Sequence, residues 1–175
     1  AGAAEACRDL HLTGIVNNAG YGQVGPLELL TSDELRAQFE TNVIGLHEMT
    51  RAFLPLIRGN AARGDGRIVQ VASMLGRLSI PLAGAYNASK HAVVALAESL
   101  RLEIGDEIPV ILVEPGAIRT AFRDTLVKVW GDLPERAAGT RYERILSRHM
   151  NARKAMGERW AMGAEACAAK IAKAI

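Results

Sequence analysis

Arg67-Ile68-Val69-Gln70-Val71-Ala72-Ser73, then Gly84-Ala85-Tyr86-Asn87-Ala88-Ser89-Lys90, then Val110-Ile111-Leu112-Val113: the reading of residues 67–113 decides the fold of this 175-residue chain. The first run is short, apolar and β-branched, which predicts a strand over Arg67–Ala72. From Ala85 to Ile104 the apolar residues Ala92, Val93, Leu96, Ala97, Leu100 and Ile104 recur at three- and four-residue steps, the spacing of a helix face. Val110–Val113 then reads as a second buried strand. A strand, a covering helix and another strand imply parallel pairing, because a parallel partner needs a crossover.

The same alternation extends toward the N-terminus. Leu12–Asn17 reads as a strand followed by turn-forming Asn and Gly. Thr31-Ser32-Asp33-Glu34 is a capping box, in which the Thr hydroxyl takes an orphan amide while Glu34 reaches back. From there Leu35, Phe39, Val43, Leu46, Met49, Phe53 and Leu56 predict one long amphipathic helix to Ile57, with Pro55 and Gly59 helping to close it. A polar loop is expected over Asn60–Gly66, and helices over Ala1–Leu10 and Ala164–Ile175. The fold class is therefore α/β: a partial doubly wound Rossmann-type fold with parallel strands and helices on both faces. Residues 1–175 form one partial domain, within which 121–163 is expected to be a substrate lid.

Bulk properties narrow the function. With 49% apolar and 23% charged residues the composition is that of an ordinary soluble domain, and two cysteines without a disulfide framework predict a cytoplasmic protein. A net charge of +2 gives no electrostatic case for nucleic acid or an anionic membrane. Cys7 and Cys167 have no disulfide framework around them, and the four scattered His residues show no ligand spacing, so no metal is expected. No apolar run is long enough for a membrane span. Arg141, Arg144 and Arg148 share one face of an expected helix, which reads as a solvated surface before it reads as an anion site.

The chemistry points to Tyr86 and Lys90. At positions i and i+4 of a helix the two side chains stack on one face. A fixed ammonium favours the phenolate, drawing a Tyr pKa down from about 10 and making a proton donor and acceptor for near-neutral pH. Ser73, at the carboxyl end of its strand, lies where open α/β sheets bind ligands. Its hydroxyl can donate to a carbonyl oxygen that gains negative charge during reduction. Asn42 interrupts an apolar helix pattern, where a buried amide must find partners.

Together with Asn17-Asn18-Ala19-Gly20, Thr41-Asn42-Val43-Ile44-Gly45 and Pro115-Gly116-Ala117-Ile118-Arg119-Thr120, the Ser73 and Tyr86-x-x-x-Lys90 pattern resembles the classical short-chain dehydrogenase/reductase family, in order and spacing, from about residue 12 to residue 120. The resemblance implies a catalytic set of Asn42, Ser73, Tyr86 and Lys90. It also implies NAD or NADP bound along Asn18, Ala19, Gly20, Tyr86, Lys90, Pro115, Gly116, Ile118 and Thr120, with no residue to choose between the two. Lys90 would hold the nicotinamide ribose, and Asn42 would sustain a proton relay. The implied reaction interconverts an alcohol and a ketone or aldehyde, and Trp130 with the Leu and Val residues after Pro115 suggests an apolar small-molecule substrate. Pairing of the two long helices across a two-fold axis would give a homo-oligomer.

Two departures keep other readings open. The family's Thr-Gly-x-x-x-Gly-x-Gly turn does not occur in these 175 residues, so the chain is expected to be the middle of a longer protein. On its own it is then expected to bind NAD(P) weakly and to be poorly soluble along the bare edge of the Leu12–Asn17 strand. A noncatalytic remnant or interaction fragment is the alternative. Gly20-Tyr21-Gly22-Gln23-Val24-Gly25 matches G-x-G-x-x-G but precedes Pro26 rather than a helix, so a phosphate-binding role for it is disfavoured.

Overall fold

The computed structural model describes residues 2–60, 65–156 and 161–174. Three parallel strands form the central sheet in the order β1 (Gly14–Asn17), β2 (Arg67–Val71), β3 (Val110–Val113). Ile15, Ile68 and Val110 lie side by side across the sheet. That row faces α3 (Gly45–Asn60) and α4 (Gly84–Ile104), where Phe53, Ile57, Ile108, Leu100 and Ile104 complete one core. Ile57, Ile68 and Ile108 are fully buried, so this cluster anchors the sheet to both helices. A second short parallel pair, β4 (Ile118–Arg119) with β5 (Met162–Gly163), brings α8 (Ala164–Ala172) beside the carboxyl ends of the strands.

The elements match the sequence pattern with four differences. The expected helix over Ala1–Leu10 is shorter: α1 covers Gly2–Ala6 and the chain then turns. The expected continuous helix from Ser32 is α2 (Ser32–Phe39), one turn of π geometry over Glu40–Ile44, then α3. Pro55 does not close that helix, which runs through it to Asn60; the carbonyl left without a partner belongs to exposed Arg51 and can be hydrated. Arg141 lies ahead of α7 (Glu143–Met156) and sits over the Tyr142 ring at 5.3 Å, so it leaves the expected basic helix face. Residues 61–64 of the expected loop and 157–160 of the expected lid lie outside the described residues.

Inside the sheet a small polar network fixes β1, β2 and α3 together. Asn17 Nδ2 donates to Thr50 Oγ1 at 2.8 Å and to Gln70 Oε1 at 3.1 Å, and Gln70 Nε2 donates to the same hydroxyl at 3.0 Å. The Thr50 hydroxyl passes its own proton to the Leu46 carbonyl. Satisfied in this way, three buried polar side chains add to the register that the apolar row sets, because a slip would leave Asn17 and Gln70 unpaired.

Candidate active site

Ser73 leaves β2 in extended geometry and opens a 3₁₀ turn, Met74–Gly76. Its Oγ accepts the Leu75 amide at 3.1 Å, which orients the hydroxyl and leaves its proton to be donated. The turn lies flush on α4 because Gly76 has no Cβ: one added there would meet Lys90 O at 2.9 Å and Val94 Cγ2 at 2.8 Å. That close approach sets Ser73 against the start of α4, where Tyr86 and Lys90 occupy successive turns.

Lys90 is buried, with its Nζ donating to the Val71 carbonyl at 2.8 Å and lying 5.9 Å from the centre of the Tyr86 ring. Burial pushes this ammonium down to about 8 from its ordinary 10.5. An ammonium has three donors, so the bond to Val71 leaves capacity for a ligand. The π turn carries Asn42 into the same region at 1% exposure. Its Oδ1 accepts from Tyr21 N at 3.1 Å, while Nδ2 donates to Tyr21 O at 2.9 Å and Ser89 Oγ at 3.1 Å. Ser89 in turn donates to the Tyr86 carbonyl at 2.8 Å. The amide expected to be costly in an apolar pattern is thus fully used.

Ser73, Tyr86 and Lys90 all line one cleft of about 710 Å³. So do Asn18, Gly20, Pro115, Gly116, Ile118 and Thr120. Asn42 and Ala19 are not among its lining residues; Asn42 sits behind Gly20, where an added Cβ would come within 3.0 Å of Asn42 Oδ1 and 3.8 Å of Lys90 Nζ. Gly20 therefore lets the backbone pass close to both groups. The cleft is also lined by Phe122 and Thr125 of α5 (Phe122–Val129), which fall within the expected 121–163 lid, and by Cys167, Ala168 and Ile171 of α8, which sequence reasoning missed. Phe122 packs against Tyr86 with ring centres 5.8 Å apart. Nothing in the spacing of an Ala-rich helix eighty residues beyond Tyr86 signals this neighbour.

The G-x-G-x-x-G stretch opens no helix. A Cβ at Gly22 would meet Leu126, Phe122 and Tyr86 at 2.8, 3.2 and 3.4 Å, and one at Gly25 would meet Leu30 and Leu133. These glycines make room for side chains of the following segment, which explains the motif without a phosphate.

A strand-end serine, a tyrosine and a buried lysine on one helix, and a Pro-Gly turn bound beside the serine through the Met74 amide and the Pro115 carbonyl at 2.9 Å, all line one cleft. The model of the short chain dehydrogenase family matches residues 3–129. The chain belongs to this family. Over 130 residues it is 42% identical to an uncharacterised oxidoreductase of Escherichia coli K12, YbbO, covering 74% of this chain and 47% of that protein. It is 43% identical over 111 residues to a 3-ketodihydrosphingosine reductase of Bacteroides thetaiotaomicron, covering 63% of this chain and 40% of that one. A crystal structure of a short chain dehydrogenase/reductase from Burkholderia phymatum in complex with NAD superposes with a TM-score of 0.74 at 30% identity. That match covers 93% of this chain and 59% of the other. The chain thus spans about half the length of the relatives it matches. Among the described residues no helix is long and apolar enough to cross a membrane, and no group of three His, Cys, Asp or Glu can hold a metal ion.

Proposed function

We propose that the protein containing this chain is an NAD(P)-dependent oxidoreductase that interconverts an alcohol and a ketone or aldehyde by a Ser-Tyr-Lys mechanism supported by Asn42. The observation that carries this reading is that Ser73, Tyr86 and Lys90 line one cleft together with Pro115, Gly116, Ile118 and Thr120. A nicotinamide cofactor fits the residues present: Gly20 and Gly116 line the cleft without side chains, and Lys90 keeps donors for ribose hydroxyls. Bound there, the cofactor supplies or accepts the hydride. Ser73 donates its hydroxyl proton in a hydrogen bond to the substrate oxygen, and Tyr86 transfers a proton to that oxygen as it becomes an alkoxide. Lys90, while charged, favours the Tyr86 phenolate that remains. Asn42 holds the Tyr21 loop and, through Ser89, the first turn of α4 that presents Tyr86.

The apolar wall of Phe122, Ala168 and Ile171 supports an apolar substrate, in line with the 3-ketodihydrosphingosine reductase among the relatives. The whole protein, given NADH or NADPH and a panel of ketones of rising chain length, is expected to oxidise the cofactor faster with long-chain than with polar ketones. A noncatalytic remnant would show no turnover with any of them. Exposed Ile44 (45%) and Leu96 (38%), on the two long helices, support a homo-oligomer paired through these faces. A monomeric mass by light scattering at micromolar concentration would contradict it.

A further inference from the structure

The segment after the Pro115–Thr120 turn is tied to the rest of the fold at a place remote from the cleft. Arg136, on the short helix α6 (Leu133–Ala137), sends Nη2 to Glu34 Oε1 at 2.6 Å and Nη1 to Glu34 Oε2 at 3.2 Å. Nη1 also donates to the Leu29 carbonyl, and Nε donates to Asp132 Oδ1 at 3.0 Å. All three guanidinium nitrogens are engaged, in a fork that a lysine cannot reproduce. Among the described residues the other ion pairs are mostly open to water, as Arg36–Asp33 is with side chains 75% and 91% exposed. Arg136 and Glu34 are only 24% and 23% exposed, so their attraction is less screened.

Glu34 is also the capping-box carboxylate of α2, accepting the Thr31 amide at 2.7 Å. One side chain thus closes the N-terminus of the helix that leads into the Asn42 turn and grips α6. Beneath Arg136, Leu133 and Ala137 are buried in a cluster with Trp130, Leu126 and Leu82. Leu82 has a φ of +63°, unusual for a branched apolar residue, and lies four positions before Tyr86. Phe122 and Leu126, at the far end of the same segment, meet Tyr86 and the backbone of Gly22. Arg136 itself does not line the cleft.

We propose that Arg136 is a positioning residue: its fork on Glu34 and Leu29 latches residues 122–149 as a lid, and the latch sets how tightly an apolar substrate is held against Tyr86. The proposal rests on the reading of the cleft as a carbonyl site, and its test has an arm that does not. In the whole protein, Arg136→Met keeps the apolar stem and removes the fork, and is expected to raise KM for a long-chain ketone roughly tenfold or more. The KM for the cofactor, the kcat and its pH profile stay near wild type. Arg136→Lys rescues little, because a point charge cannot span both acceptors. Hydrogen exchange is the independent arm: amides within 122–149 exchange faster in Arg136→Met while those of α4 and β2 do not. Should Arg136→Met fail to fold, Glu34→Gln, which preserves volume, carries the same two readouts. Unchanged lid exchange, or protection lost equally from α4 and β2, overturns the proposal, as does a fall in kcat with KM unmoved. If the wild type turns over no carbonyl compound, the function has failed and the exchange arm alone decides the latch.

Discussion

Tyr86→Phe, made in the whole protein, is expected to lower kcat for ketone reduction by about a hundredfold to ten-thousandfold, the usual worth of a positioned general acid. The substitution removes one oxygen and keeps the ring that packs against Phe122. Folding should therefore be little changed, and so should cofactor affinity, because Tyr86 is one of nine residues assigned to the cofactor and Lys90 still holds the ribose. A variant keeping most of its kcat would remove Tyr86 from the proton transfer. A variant losing cofactor affinity by the same factor as kcat would point to a binding role instead. Stopped-flow turnover and a fluorescence titration of the cofactor separate the two.

The second large effect is on stability and follows from Lys90. Its folded-state pKa of about 8 lies below the 10.5 expected of an exposed lysine. Between those values the unfolded chain holds a proton that the folded chain has released, so stability increases as pH rises from about 8 to about 10.5. Below about 8 the ammonium stays charged in its buried place, and that gain is absent. Each unit of difference is worth about 1.4 kcal/mol, so the full gain is on the order of 3 kcal/mol. Denaturant unfolding of this chain across the range should show the rise, and Lys90→Met should remove it. A pH-independent difference between the two proteins would mean that the ammonium is effectively hydrated.

Much of this was legible in the sequence because it is local. Strand β2, helix α4 and strand β3 follow from period and composition within a few residues of their ends, and the Thr31–Glu34 box was written in four letters. The Ser73–Tyr86–Lys90 grouping was also readable, since a strand end and the next helix start must be neighbours in a parallel crossover. The π turn was not legible: its apolar residues keep a helical spacing, and the extra residue shows only in backbone bonds such as that from the Gly45 amide to the Glu40 carbonyl, five residues back. Pro55 reads as a helix stop by propensity, yet packing of Phe53 and Ile57 carries the helix past it. The second use of Glu34 was hidden because Arg136 lies 102 residues away. Gly22 and Gly25 resembled a phosphate loop for the same reason. Of the side chains that need their missing Cβ atoms, Leu126, Phe122 and Leu133 come from α5 and α6, far along the chain, and Leu30 alone is close in sequence to Gly25.

The central claim is that Ser73 and Tyr86 serve one substrate oxygen, and a crystal structure of the whole protein with oxidised cofactor and a ketone product tests it most directly. The predicted result is a carbonyl oxygen within about 2.5–3.0 Å of both hydroxyls, with Lys90 on the ribose. A carbonyl oxygen bound away from Tyr86, or a Ser73 hydroxyl turned from the substrate, would contradict it.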